Sequence, residues 1–128
     1  MKNSVVAVAA AGLWITLSEF ARNEFLFKTA WVDHYQSLGL AFETRPVNGA
    51  LWLVWSFLLA YVLHRLLRVF GSARAVVLAW LAAFVMMWIA MYNLQVLPLA
   101  LLVYAVPLSL IEVVVAAMIL RALERPAR

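Results

Sequence analysis

Cysteine is absent from the chain, which excludes disulfides, thiolate metal centres and thiol redox chemistry. Charge is scarce as well: 12% of residues are Asp, Glu, Lys or Arg, against about a quarter in soluble globular domains. The sequence shows no internal repeat and no low-complexity segment, so neither a solenoid nor a linker array is expected. Apolar residues fill the space instead. Of 128 residues, 68% are hydrophobic, and mean hydropathy is +0.98. This composition predicts an integral membrane protein of one domain, with room for about four helices of ~20 residues and one substantial loop. The net charge of +4 does not imply nucleic acid, because the basic residues border the apolar runs, where membrane topology accounts for them.

Four spans are expected, at about 4–21, 50–69, 75–97 and 99–120. Lys2 followed by VAVAAAG has the outline of a secretory signal, but the apolar run continues through Leu13-Trp14-Ile15, so a retained first span is expected. Residues 22–48 form the single long connection, in which Phe25, Phe27, Trp31 and Tyr35 alternate with charges, as suits an extension of the first helix and a short segment lying at headgroup level. Leu38-Gly39 reads as a helix stop, and the stretch from Arg45 to Gly49 as a turn into the second span. Gly71-Ser72 reads as a tight turn, and Pro98 as the start of the fourth span.

Basic residues set the expected orientation. Lys2, Arg65, Arg68, Arg74, Arg121, Arg125 and Arg128 fall on one side of four spans, and Arg22, Lys28 and Arg45 on the other. The fold expected is therefore an all-α, four-helix transmembrane bundle, N-in and C-in, in the inner (cytoplasmic) membrane, with an aromatic extracytoplasmic loop between helices 1 and 2.

The fourth apolar run, LALLVYAVPLSLIEVVVAAMIL, carries one acid, Glu112. Its thirteen Leu, Ile and Val residues, at roughly −0.3 to −0.6 kcal/mol each, outweigh one acid at roughly +3 kcal/mol, so insertion is expected and Glu112 needs a partner inside the bundle. Small and polar residues recur at helical spacing in every span: Ala9, Gly12, Thr16, Glu19, Asn23; then Gly49, Ser56, Ala60, His64; then Ala79, Ala83, Ala90, Asn93; then Ala105, Ser109, Glu112, Ala116. At ~1.5 Å per residue, His64 and Glu112 both lie ~20 Å below the outer ends of their spans. His64 is accordingly the first expected partner of Glu112, and Arg65 or Arg68 the second. Glu19 is expected near the outer surface, level with Asn93 and Gln95, or neutralised by Arg22 across one helical turn. Ser109 joins the candidate binding residues around Glu112. Pro107 is expected to free the Val103 carbonyl and kink the helix.

The Glu112 and His64 pair can be a protonatable site or a packing hydrogen bond. Asp33, His34 and Glu43 lack spaced ligands, so no metal site and no cofactor are expected. Ser18, Ser56 and Ser109 lack the sharp turn and the His–acid pairing of a nucleophile, and an enzyme is not expected. The tryptophans and tyrosines suit interface anchoring.

The stretch Asn23-Glu24-Phe25-Leu26-Phe27-Lys28, then Trp31 and Leu38-Gly39-Leu40, and the run from Trp88 to Asn93 ahead of a fourth apolar helix, resembles a set of small four-helix bacterial inner-membrane proteins catalogued only as a domain of unknown function. That resemblance implies the topology and no activity. Trp14 and Glu19 give a lesser likeness to small multidrug resistance transporters, from which the long first loop and the lack of glycine-rich third and fourth helices set the chain apart. The expected function is a non-enzymatic binding or interaction module in contact with the lipid bilayer, monomeric, as a homodimer or in a larger membrane complex. The alternative is a small proton-coupled carrier using Glu112.

Overall fold

The computed structural model describes residues 2–124, and the Arg125 and Arg128 of the expected basic tail lie outside the described residues. Among the described residues the chain is all helical, without a strand. Its helices are α1 (Lys2–Ala21), α2 (Lys28–Ser37), α3 (Pro46–Val69), α4 (Ser72–Trp80), α5 (Met86–Asn93) and α6 (Leu102–Glu124). Four continuous helical stretches are long and apolar enough to cross a membrane: Asn3–Leu26, Pro46–Val69, Ser72–Asn93 and Leu99–Glu124.

Each stretch departs from its expected bounds for a local reason. The first does not stop at Ala21 but passes through a wide π-helical turn, Arg22–Leu26, closed by the Phe27 N–H donating to the Arg22 carbonyl at 3.0 Å. Phe25 and Leu26 keep the turn apolar on one side although Arg22 and Glu24 stand in it. The second starts at Pro46, because proline at the first helical position lacks only an N–H that would have no intrahelical partner. A second wide turn, Leu81–Val85, joins α4 to α5, and this third stretch ends at Asn93 because Gln95 turns left-handed at φ 63°. The fourth begins in a single 3₁₀ turn, Leu99–Leu101, and continues past Leu120 to Glu124. Pro107 sits inside α6, where it cannot donate to the Val103 carbonyl, yet the helix continues on both sides.

Helix α1 packs along both α3 and α6, which also touch each other, and α4 packs on the other side of that pair. The seam is built of small residues. Ala7 and Ala11 of α1, Ala60 of α3, Ala75 and Ala79 of α4, and Ala116 and Ala117 of α6 are buried, with Ile15, Leu63, Phe84, Val113 and Leu120 filling the spaces between them. At Gly12 the approach is closest: a Cβ there would stand 2.8 Å from the Phe57 ring. Beyond this core, Phe27, Leu97, Leu101 and Ala105 form a separate apolar layer, backed by Trp31 and Trp88.

The connection from α1 to α3 is more ordered than a loop. Helix α2 ends as expected at Leu38-Gly39, with Gly39 left-handed at φ 71° and its N–H donating to the Gln36 carbonyl at 2.9 Å. The non-helical stretch that follows brings Phe42 to stack on Trp31 (centroids 6.2 Å apart) and to meet Tyr35 edge-on at 5.2 Å. Nε2–H of His34 donates to the Gln95 carbonyl at 2.8 Å, tying α2 to the segment after α5.

Candidate functional site

Helices α1 and α6 run antiparallel, and their register decides what meets Glu112. Near one end the Ser4 hydroxyl donates to Glu124 at 3.1 Å. Farther along, the Trp14 indole N–H donates to the Glu112 carbonyl at 3.0 Å, and the Ser18 hydroxyl donates to Glu112 Oε2 at 2.5 Å. Glu112, with a side chain 0% exposed, therefore faces the C-terminal half of the first span and not α3.

The basic partner is Arg22. Its Nη2 is 3.2 Å from Glu112 Oε2 and also pairs with Glu19 Oε1, so one guanidinium bridges two carboxyl groups. Asn23 completes the surround by donating from Nδ2 to both the carbonyl and Oε2 of Glu19, at 3.0 Å each. The Trp31 indole N–H in turn donates to Asn23 Oδ1 at 3.1 Å, coupling the aromatic layer to the ionic cluster. The Arg22 guanidinium carbon lies 5.6 Å from the centroid of the Phe84 ring, which is packed between Trp55 and Trp88. Both wide turns take part, since Arg22 opens the first and Phe84 lies in the second. Such turns expand the helix by one residue and are frequent where a side chain must be re-aimed.

Arg22 and Glu19 are nearly as buried as Glu112, with side chains 7% and 9% exposed. The i,i+3 pairing of Arg22 with Glu19 is present, and Glu112 is added to it. Arg22 Nη1 and Glu112 Oε1 are buried without a hydrogen-bond partner. Two carboxylates around one guanidinium also leave one negative charge to be balanced when both are ionised.

The expected partners of Glu112 lie elsewhere. His64 is buried near the opposite end of the molecule, with Nδ1 3.1 Å from Glu124 Oε1 but out of hydrogen-bond alignment. Arg65 and Arg68 are exposed. The discrepancy is one of register: depths counted from the ends of two spans of assumed length carry the errors of both ends, and the first span continues five residues beyond the bound assigned to it. Glu19 therefore lies seven residues inside its helix, level with Glu112, and shares Arg22 with it. Asn93 is exposed and stands apart from Glu19. Ser109 is fully buried but serves a different contact, accepting from the Trp80 indole N–H at 2.9 Å and donating to the Val106 carbonyl at 3.0 Å.

Arg22 is the residue sequence reasoning left out of the candidate binding set, where it stands only as a local neutraliser of Glu19. The signal that identifies it is Phe25-Leu26-Phe27, which prolongs the apolar face beyond the charge. No group of three or more His, Asp or Glu able to hold a metal ion occurs among the described residues.

Fold and site together define an all-helical protein with four helices fit to span a membrane and an Arg-bridged carboxyl pair enclosed between the first and fourth. Comparison with protein-family models, curated proteins and solved structures finds no match.

Proposed function

We propose that the chain is a non-enzymatic, multi-pass protein of the cytoplasmic membrane, with both termini cytoplasmic, that works as a binding or interaction module. The enclosure of Glu112 by Ser18, Arg22 and Glu19 carries the reading. A carboxylate with no exposed surface, held by its own neighbours, fixes the first span against the fourth and leaves the outward surfaces to lipid and membrane partners. The basic residues support the orientation: Arg65, Arg68, Arg74 and Arg121 stand at the end where α3 and α6 finish and α4 starts. That places α2 and the Trp31–Tyr35–Phe42 cluster on the outer face.

A proton-coupled carrier is the second reading, favoured by the unpartnered Glu112 Oε1 and by the unbalanced charge of the cluster. Purified protein in liposomes distinguishes the two. For the module, neither wild type nor Glu112→Gln dissipates an imposed pH gradient; proton flux in wild type that is lost in Glu112→Gln overturns that reading in favour of the carrier. Because the chain has no cysteine, Gln36→Cys and Ser72→Cys report orientation in intact cells. Labelling of position 72, and not 36, by an impermeant maleimide would refute the assigned topology.

A further inference from the structure

Between the first turns of α4 and the second half of α6 runs an open apolar groove of about 660 Å³, within the range of small-ligand sites. Val76 and Val77 line one wall, Leu110, Val114 and Met118 the other, and Arg121 stands at its end. We propose that this groove holds an acyl chain of an anionic phospholipid, whose headgroup phosphate is received at Arg121. The inference rests on the membrane reading above and not on the choice between module and carrier.

Three observations select that occupant. The lining is apolar along its length and charged only at one end, which is the polarity of a lipid and not of a water-soluble anion. From Leu110 to Ala122 the groove follows α6 for ~18 Å at ~1.5 Å per residue, about the depth of one leaflet of a ~30 Å hydrocarbon core. Arg121 also lies where a headgroup would lie, in the last turn of α6. One of its N–H groups donates to the Leu67 carbonyl at 2.9 Å, satisfying an acceptor near the end of α3, and the remaining donors of the fork are available to a phosphate. Arg68 in the last turn of α3 and Arg74 in the first turn of α4 add positive charge to the same end. The one acid described there, Glu124, is occupied by Ser4 and lies beside His64. Charge complementarity thus favours phosphatidylglycerol over a zwitterionic lipid.

The full chain is reconstituted in nanodiscs containing equal amounts of phosphatidylglycerol and phosphatidylcholine, extracted in mild detergent, and the co-purifying lipid is measured by mass spectrometry. Wild type is expected to retain phosphatidylglycerol about fivefold over phosphatidylcholine, corresponding to the ~1 kcal/mol of one basic residue at an anionic surface. Val114→Trp, which fills the groove from a partly exposed position, should abolish retention. Arg121→Gln should keep some lipid but lose the preference, and Arg121→Lys should restore it. Equal retention by Val114→Trp, or no preference in wild type, overturns the proposal, as does a crosslink between two copies at position 114. Proton flux in matched liposomes would overturn the module reading without altering retention, so the two failures are separable.

Discussion

The first and third spans are nearly equal in length, 24 and 22 residues, but the protein uses them in opposite ways. The first is the less apolar, with Ser18, Glu19, Arg22 and Asn23 in its C-terminal half, yet it is the one that packs most extensively on α3 and α6 and encloses the ionic cluster. The third is more apolar and less buried, and its C-terminal segment α5 contributes no buried residue. In water the more apolar helix would be the more enclosed. Where lipid is the solvent, apolar surface gains little from hiding while polar groups must find one another, so hydropathy stops predicting enclosure: the fourth stretch, the most apolar of the four, is as buried as the second.

Substitutions can break or sharpen this contrast, and the largest effect belongs to Arg22. Arg22→Ala leaves Glu19 and Glu112 buried without their shared cation, and about 3–5 kcal/mol of stability should be lost in reversible unfolding from mixed micelles. If Glu112→Gln in the Arg22→Ala background recovers none of that loss, the pairing is not what holds the first span in place. Next comes Gly12→Ala, where the new methyl meets the Phe57 ring at 2.8 Å and the α1–α3 approach must widen. A loss of ~1–3 kcal/mol is expected by the same measurement, and a neutral outcome would mean that the ring moves freely aside. The smallest effect tests the third span. Its polar tie to α6 is the Trp80–Ser109 hydrogen bond, and a double-mutant cycle of Trp80→Phe with Ser109→Ala should give a coupling of about 0.6 kcal/mol, the usual scale for such bonds in membrane proteins. A coupling as large as the Arg22 effect would erase the contrast between the two spans.

Much of the architecture could be read directly. Four apolar runs separated by Gly39, Gly71 and Pro98 become four helical stretches, and Gly39 does end α2. The small-residue spacing also holds on the fourth helix, where Ala105, Ser109, Glu112 and Ala116 are all buried. It fails at the margins, since Ala9, Gly49, Ala90 and Asn93 are exposed. Spacing identifies a face, but whether a neighbour covers that face is decided by packing.

For the site, Glu112 was legible because a lone acid in an apolar run demands a partner. The identity of that partner was not, because it depends on the axial offset between two antiparallel helices, which no feature of either helix alone specifies. Trp14 and Ser18 set that offset by gripping the backbone and side chain of Glu112. Both also have plain packing explanations when met one at a time.

The wide turn at Arg22–Leu26 has a consequence for how this chain can change in length. A wide turn takes up its extra residue as a bulge, so the helix beyond it keeps the rotation it would have had without that residue, whereas a residue added to regular helix turns everything beyond it by about 100°, at 3.6 residues per turn. Glu19 lies before the turn, and Phe27, with the α2 helix that follows, lies after it. Removing the exposed Phe25 would return the turn to regular helix and leave both Glu19 and Phe27 close to their present faces. A deletion between Ala7 and Ile15 has no such outlet and would turn part of the first span's packed face away from α3 and α6.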